Sequence, residues 1–115
     1  MDTEDLYLQG FQARCSGDYG RAKLFLESVL KADPQHINAR HQMGLILGFE
    51  GDFEASLNSL ADLSRQVPGN LDIKYDLAMT YLMLGMYDEG CALLSQILAV
   101  DPTHQKALDQ SSYCP

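Results

Sequence analysis

At 115 residues the chain is long enough for one domain with a core of its own. Hydrophobic residues make up 46% of it and charged residues 21%, a balance that excludes a disordered chain. The net charge of −8 argues against partners held by phosphate neutralisation, so neither nucleic acid nor an anionic membrane surface is an expected partner.

The N-terminal residues show no charged stretch leading into an apolar one, so no secretory signal is expected. The first helical patterns run over 3–16 and 19–32, parted by Gly17 and Asp18. Glycine suits a tight turn, and an aspartate after it can cap the next helix. Pro34 then stops the second helix. The same signals return with helices over 37–50 and 53–66, around Gly51, Asp52 and Pro68. They return again with helices over 71–84 and 87–100, around Gly85 and Pro102, but Met86 stands where the capping aspartate would be. A short seventh helix begins near Gln105 and soon meets Ser111-Ser112. Met43–Phe49 and Tyr81–Tyr87, the longest apolar stretches, fall well below the ~18 residues of a membrane span.

These signals are in phase. Pro34, Pro68 and Pro102 lie 34 residues apart, as do Gly17, Gly51 and Gly85, and the aromatics Tyr19, Phe53 and Tyr87. Small residues recur at Gly10, Gly44 and Ala78 and at Ala22, Ser56 and Gly90, where two helices can approach closely. Large aliphatics recur at Leu26, Leu60 and Leu94 and at Val29, Leu63 and Ile97, where they fill the space between helices. The pattern resembles the tetratricopeptide repeat, a helix–turn–helix unit of 34 residues. The resemblance covers 3–104 in three copies, 3–36, 37–70 and 71–104, with 105–115 as a short capping helix and tail. It implies an all-α fold, a right-handed α-solenoid. Two departures stand out: the family's first-helix tryptophan slot holds Leu6, Arg40 and Lys74, and its leucine slot holds Gln9 in the first copy. The RNA-reading pentatricopeptide family has a period of 35 and is usually basic, and both features speak against it.

In the tetratricopeptide family the first helix of each pair makes a concave wall. The resemblance therefore implies groove-facing slots at Glu4, Tyr7, Phe11, Arg14 and Cys15, at Asn38, His41, Leu45, Gly48 and Phe49, and at Asp72, Tyr75, Met79, Leu82 and Met83. Tyr7, Phe11, Leu45, Phe49, Tyr75 and Met79 are expected to form one apolar strip, with His41, Asp72 and Asp76 beside it. Leu82 and Met83 are equally readable as core. The family's best-known ligand is the acidic C-terminal tail of cytosolic heat-shock chaperones, held by lysine, asparagine and arginine. The matching positions here hold Tyr7 and Phe11, then Gln42, then Asp72 and Asp76. With carboxylates in place of cations, such a tail is repelled. Acidity also grows along the chain, from five acids against four bases in the first copy to five against one in the third. The expected ligand is thus a protein or peptide with apolar anchors and basic flanks.

His41 and Cys15 are the only base and nucleophile near the groove, and their slots lie ~12 Å apart along the helix axis, too far for a dyad. His36 and His104 are repeat equivalents in turns. No phosphate loop, zincin motif or paired-cysteine site is present, so neither catalysis nor a cofactor or metal is expected. Cys15, Cys91 and Cys114, odd in number and irregularly spaced, read as free thiols, and the expected compartment is the cytoplasm. The sequence thus points to a non-catalytic interaction scaffold; a small dedicated chaperone for a secretion or assembly subunit is the alternative, as is a self-associating module. Because the cap is short, Leu94, Ile97 and Leu98 are expected to be covered by a second copy, making a homo-oligomer through the C-terminal repeat.

Overall fold

The computed structural model describes residues 2–115. Seven helices follow one another: α1 (Thr3–Cys15), α2 (Tyr19–Ala32), α3 (Ile37–Phe49), α4 (Phe53–Gln66), α5 (Leu71–Met83), α6 (Tyr87–Val100) and α7 (Gln105–Ser111). The first helix of each pair ends one residue before its expected end. The glycine column sets those ends: Gly17, Gly51 and Gly85 have φ of 82°, 93° and 77°, the left-handed region where a side chain is strained. Asp18 and Asp52 cap α2 and α4 by accepting the backbone N–H of Arg21 and Ala55, whereas Met86 leaves α6 without a side-chain cap.

A second column of caps had no role assigned from the sequence. His36 accepts the N–H of Ala39 on Nδ1 at 3.0 Å, Asn70 accepts that of Ile73 at 3.1 Å, and His104 accepts that of Ala107 at 3.1 Å. These residues open α3, α5 and α7, so every copy begins on the same device.

Each pair packs as a helical hairpin: α1 on α2, α3 on α4, α5 on α6. The hairpins stack side by side through α2 on α3 and α4 on α5, giving a body of 47 × 27 × 22 Å. The columns of large aliphatics are the core, with Leu26, Val29, Leu60, Leu63, Leu94 and Ile97 all fully buried. At Gly90 an added Cβ would lie 2.7 Å from the Leu82 side chain, so the small residue permits that contact and Leu82 packs inward. Met83, its neighbour, is exposed.

The aromatic column is less uniform than the sequence suggests. Tyr19 and Phe53 are half-buried, but Tyr87 is 57% exposed. Tyr19 is covered by Phe49, whose ring stacks on it at 5.6 Å, and Phe53 shares a hollow with Met83. No later first helix reaches Tyr87, because α7 stops at Ser111.

Two expectations at the C-terminal end are corrected. Cys91 and Cys114 form a disulfide, with Cα atoms 5.7 Å apart, and Cys15 alone is a free thiol. Regular spacing is no guide here, because the partners are joined by the return of the tail over α6, not by the repeat. A disulfide belongs in oxidising surroundings, so the cysteine argument for the cytoplasm falls away. Leu94 and Ile97 are already buried within the one chain, under Ala107 of α7 with Leu98 and Cys114 beside them. They do not need a second copy to cover them.

Candidate partner-binding groove

Contacts of α1 with α3 and of α3 with α5 set the first helices in a row along one wall. On each helix the wall-facing residues recur at spacings of three and four, the interval that brings side chains onto one face. Seven expected residues line a single hollow of about 410 Å³: Phe11 from α1, His41, Leu45 and Phe49 from α3, and Asp72, Tyr75 and Asp76 from α5. Met79 lines an adjoining hollow of about 130 Å³ that shares Leu45, Phe49 and Asp76 with the first. Tyr7 lines neither hollow. It packs on the core of the first hairpin, with its ring 5.5 Å from His36 and 6.2 Å from Phe11.

Polar ties hold this wall together across the repeat boundaries. His41 is only 9% exposed, and its Nε2 lies 2.7 Å from Asp76 Oδ2. A carboxylate can only accept, so Nε2 carries the proton and donates it to Asp76, joining α3 to α5. The histidine therefore faces Asp76, whereas Cys15 lies exposed beside the guanidinium of Arg14. Arg14 Nε donates to Gln42 Oε1, joining α1 to α3, and the guanidinium sits 5.2 Å over the Phe11 ring. Burial raises the Tyr7 phenol above its ordinary value, with Arg14 partly opposing. Burial also raises that of Tyr75, and there Asp76 and Asp109 push the same way.

Three further residues line the larger hollow: Arg14, Gln42 and Lys106. Arg14 was legible as a groove slot and Gln42 as a chaperone-clamp position. Lys106 was missed, although it lies 34 residues after Asp72; carrying the slots once more into the seventh helix would have found it. Its Nζ lies 5.8 Å from the centre of the Tyr75 ring. The hollow is therefore mixed in charge, with Arg14 and Lys106 facing Asp72 and Asp76. A second large hollow, of about 480 Å³, opens between α4, α5 and α6, lined by Arg65, Lys74, Tyr81, Glu89 and Leu93 among others; no sequence signal marked it. Among the described residues no group of three or more His, Cys, Asp or Glu side chains is placed to hold a metal ion, and no helix is long and apolar enough to cross a membrane.

Stacked helical hairpins with a wall of first helices define an α-solenoid, an architecture used for interaction between proteins. Residues 50–110 match the model of the tetratricopeptide repeat family, and the chain belongs to that family. No curated protein matches it. Among solved structures it is similar to YrrB, described as a tetratricopeptide repeat protein with an unusual peptide-binding site, at 22% identity and a TM-score of 0.83 over 97% of this chain. It is also similar to the O-GlcNAc transferase of Thermobaculum terrenum, at 23% identity and a TM-score of 0.86 over 95% of the chain. The chain spans 58% of the length of YrrB and 21% of that of the transferase. A third likeness is to SycD, a type III secretion translocator chaperone of Yersinia enterocolitica, at 18% identity and a TM-score of 0.79, covering 96% of this chain and 86% of SycD. At such identities the likeness is one of fold.

Proposed function

We propose that the chain is a non-catalytic scaffold that holds a partner peptide or helix in the hollow formed by α1, α3, α5 and α7. The observation that carries this reading is the convergence of Phe11, Leu45, Phe49 and Tyr75, from three successive first helices, on one open hollow. Asp76 is already engaged by His41, and Arg14 and Lys106 set cations nearby, so apolar anchors supply most of the affinity. A basic flank has exposed Asp72 to meet. A second reading, a small dedicated chaperone, is favoured by size: this chain and SycD cover one another almost fully, and PcrH, solved with the chaperone-binding region of PopB, is covered to 91%.

The test is capture of partners by wild type and variants side by side. Each buried ring contributes on the order of 1.5–3 kcal/mol, so Phe11→Ala and Tyr75→Ala should each weaken capture roughly ten- to a hundred-fold. Glu54→Lys, on the second helix of its pair, should leave capture intact. The reverse pattern would move the site off this wall.

A further inference from the structure

The third helix–helix turn departs from the other two in a way the fold itself does not need. Residues 83–87 put Met83, Leu84, Met86 and Tyr87 at the surface, 61%, 40%, 37% and 57% exposed, and Phe49 lies one repeat away, 55% exposed. Half of the large exposed apolar side chains in the described residues thus lie on one edge. The corresponding positions of the first turn are Cys15, Ser16, Asp18 and Tyr19. Met86 is the sharpest departure. An aspartate there would cap α6, as Asp18 and Asp52 cap α2 and α4, yet the chain carries methionine and leaves that N–H without a side-chain partner. A local rule broken with no compensating contact is the mark of a surface kept for something else.

The repeat shows what that something resembles. Tyr19 is covered by Phe49 at the end of α3, and Phe53 meets Met83 at the end of α5. In both cases the cover is an aromatic or methionine side chain on the last turn of a helix. Tyr87 has no such cover: α7 ends at Ser111, and the tail then turns toward Cys91, to which Cys114 is bonded.

Charge narrows the occupant. Residues 49–54 and 83–89 hold Glu50, Asp52, Glu54, Asp88 and Glu89 and no lysine or arginine. Lys23, from α2, pairs with Glu50 at 2.8 Å and leaves the other four. A second copy docked edge to edge would set carboxylates against carboxylates. We infer that this edge is an interaction surface, separate from the groove, that takes an amphipathic helix with aromatic or methionine anchors and lysine or arginine on its flanks.

The test is a titration of the isotope-labelled, oxidised full chain with a synthetic amphipathic helix carrying Phe, Met and Leu on one face and Lys on its flanks. A twin peptide with Glu for Lys is the control. The Lys peptide should bind and shift the resonances of 83–89, and the Glu twin should bind at least about tenfold more weakly at low salt. Met86→Asp and Tyr87→Ala should each weaken binding by roughly tenfold or more. Met86→Asp restores a cap, so it should melt no lower than wild type, which separates lost binding from lost folding. Phe11→Ala, a groove variant, should leave this binding unchanged, so failure of the groove reading and failure of this one are distinguishable. Absence of binding, equal binding of the Glu twin, or shifts confined to Phe11, Leu45 and Tyr75 would overturn the proposal. So would a concentration-dependent dimer that Met86→Asp dissolves, which would give the surface to a second copy.

Discussion

Gly17 and Gly85 place the first and third turns in the same left-handed conformation, yet the two ends of the molecule are finished by different means. At the first, Asp18 caps α2, the Tyr19 ring is stacked under Phe49, and Cys15 is an exposed thiol. At the third, α6 is uncapped, the Tyr87 ring is bare, and a cysteine on α6 is bonded to the tail. A repeat therefore specifies its backbone locally, through glycine and proline, while its surface depends on what the next repeat supplies. Where no full repeat follows, the chain substitutes a seven-residue helix and a covalent tie. Ala107 is the single buried residue of α7, too small an anchor to hold a short helix unaided.

The largest expected effect follows from that tie. Cys91 and Cys114 are 23 residues apart, and removing the link by Cys114→Ser or by a thiol reductant should cost about 2–4 kcal/mol in denaturant unfolding. Cys15→Ser, at the other end, should change stability by less than about 0.5 kcal/mol, because that side chain is exposed. Hydrogen exchange should localise the loss: the amides of α7 lose protection while those of α1 and α2 keep theirs. Equal loss at both ends would show that the hairpins open as one unit, and the contrast between the ends would then be only a surface one.

The next effect is smaller and runs in opposite directions at the two turns. Asp18→Ala removes a cap and should destabilise by about 0.5–2 kcal/mol. Met86→Asp supplies one and should stabilise by up to about that amount, less whatever repulsion Asp88 and Glu89 impose in the same turn. Thermal unfolding of the two variants beside wild type reads the difference. A loss of stability in Met86→Asp would mean that the methionine makes a packing contribution greater than the missing cap.

Most of the fold was legible because it is written in columns. Gly17, Gly51 and Gly85 each force the same turn, and Leu26, Leu60 and Leu94 each meet the same environment, so one reading is checked three times. What escaped the sequence lies where the columns stop. The bond between Cys91 and Cys114 has no repeat equivalent, and whether Tyr87 is covered depends on a helix that would have to follow it. The caps at His36, Asn70 and His104 were in a column and went unread, because histidine is an uncommon acceptor for a helix N-terminus. In the groove, Phe11, Leu45, Phe49 and Tyr75 converge as their slots imply. Tyr7 shares its slot with Tyr75 but is drawn onto the first hairpin and toward His36.

Those two tyrosines sharpen the comparison of the ends with the smallest expected effect. Both stand at the fifth slot of their copy, and both tilt by 31° against the capping histidine of the next, at 5.5 Å for Tyr7 and 5.9 Å for Tyr75. Burial raises both phenols above the ordinary value of 10.0. The fold thus favours the neutral phenol: its contribution is complete below the unfolded pKa, starts to decline as the pH rises through about 10, and is lost above the raised folded value. The neighbouring charges differ in sign, since Arg14 pulls Tyr7 back while Asp76 and Asp109 push Tyr75 further. Arg14→Ala should therefore move the Tyr7 titration upward, and Asp76→Asn should move that of Tyr75 downward, in phenolate absorbance measured against Tyr7→Phe and Tyr75→Phe references. Alkaline stability should become less steep in Tyr75→Phe. If Asp76→Asn left Tyr75 unmoved, Asp76 would be spent wholly on His41, its partner at 2.7 Å, and the groove would have less negative charge to offer a ligand than its sequence implies.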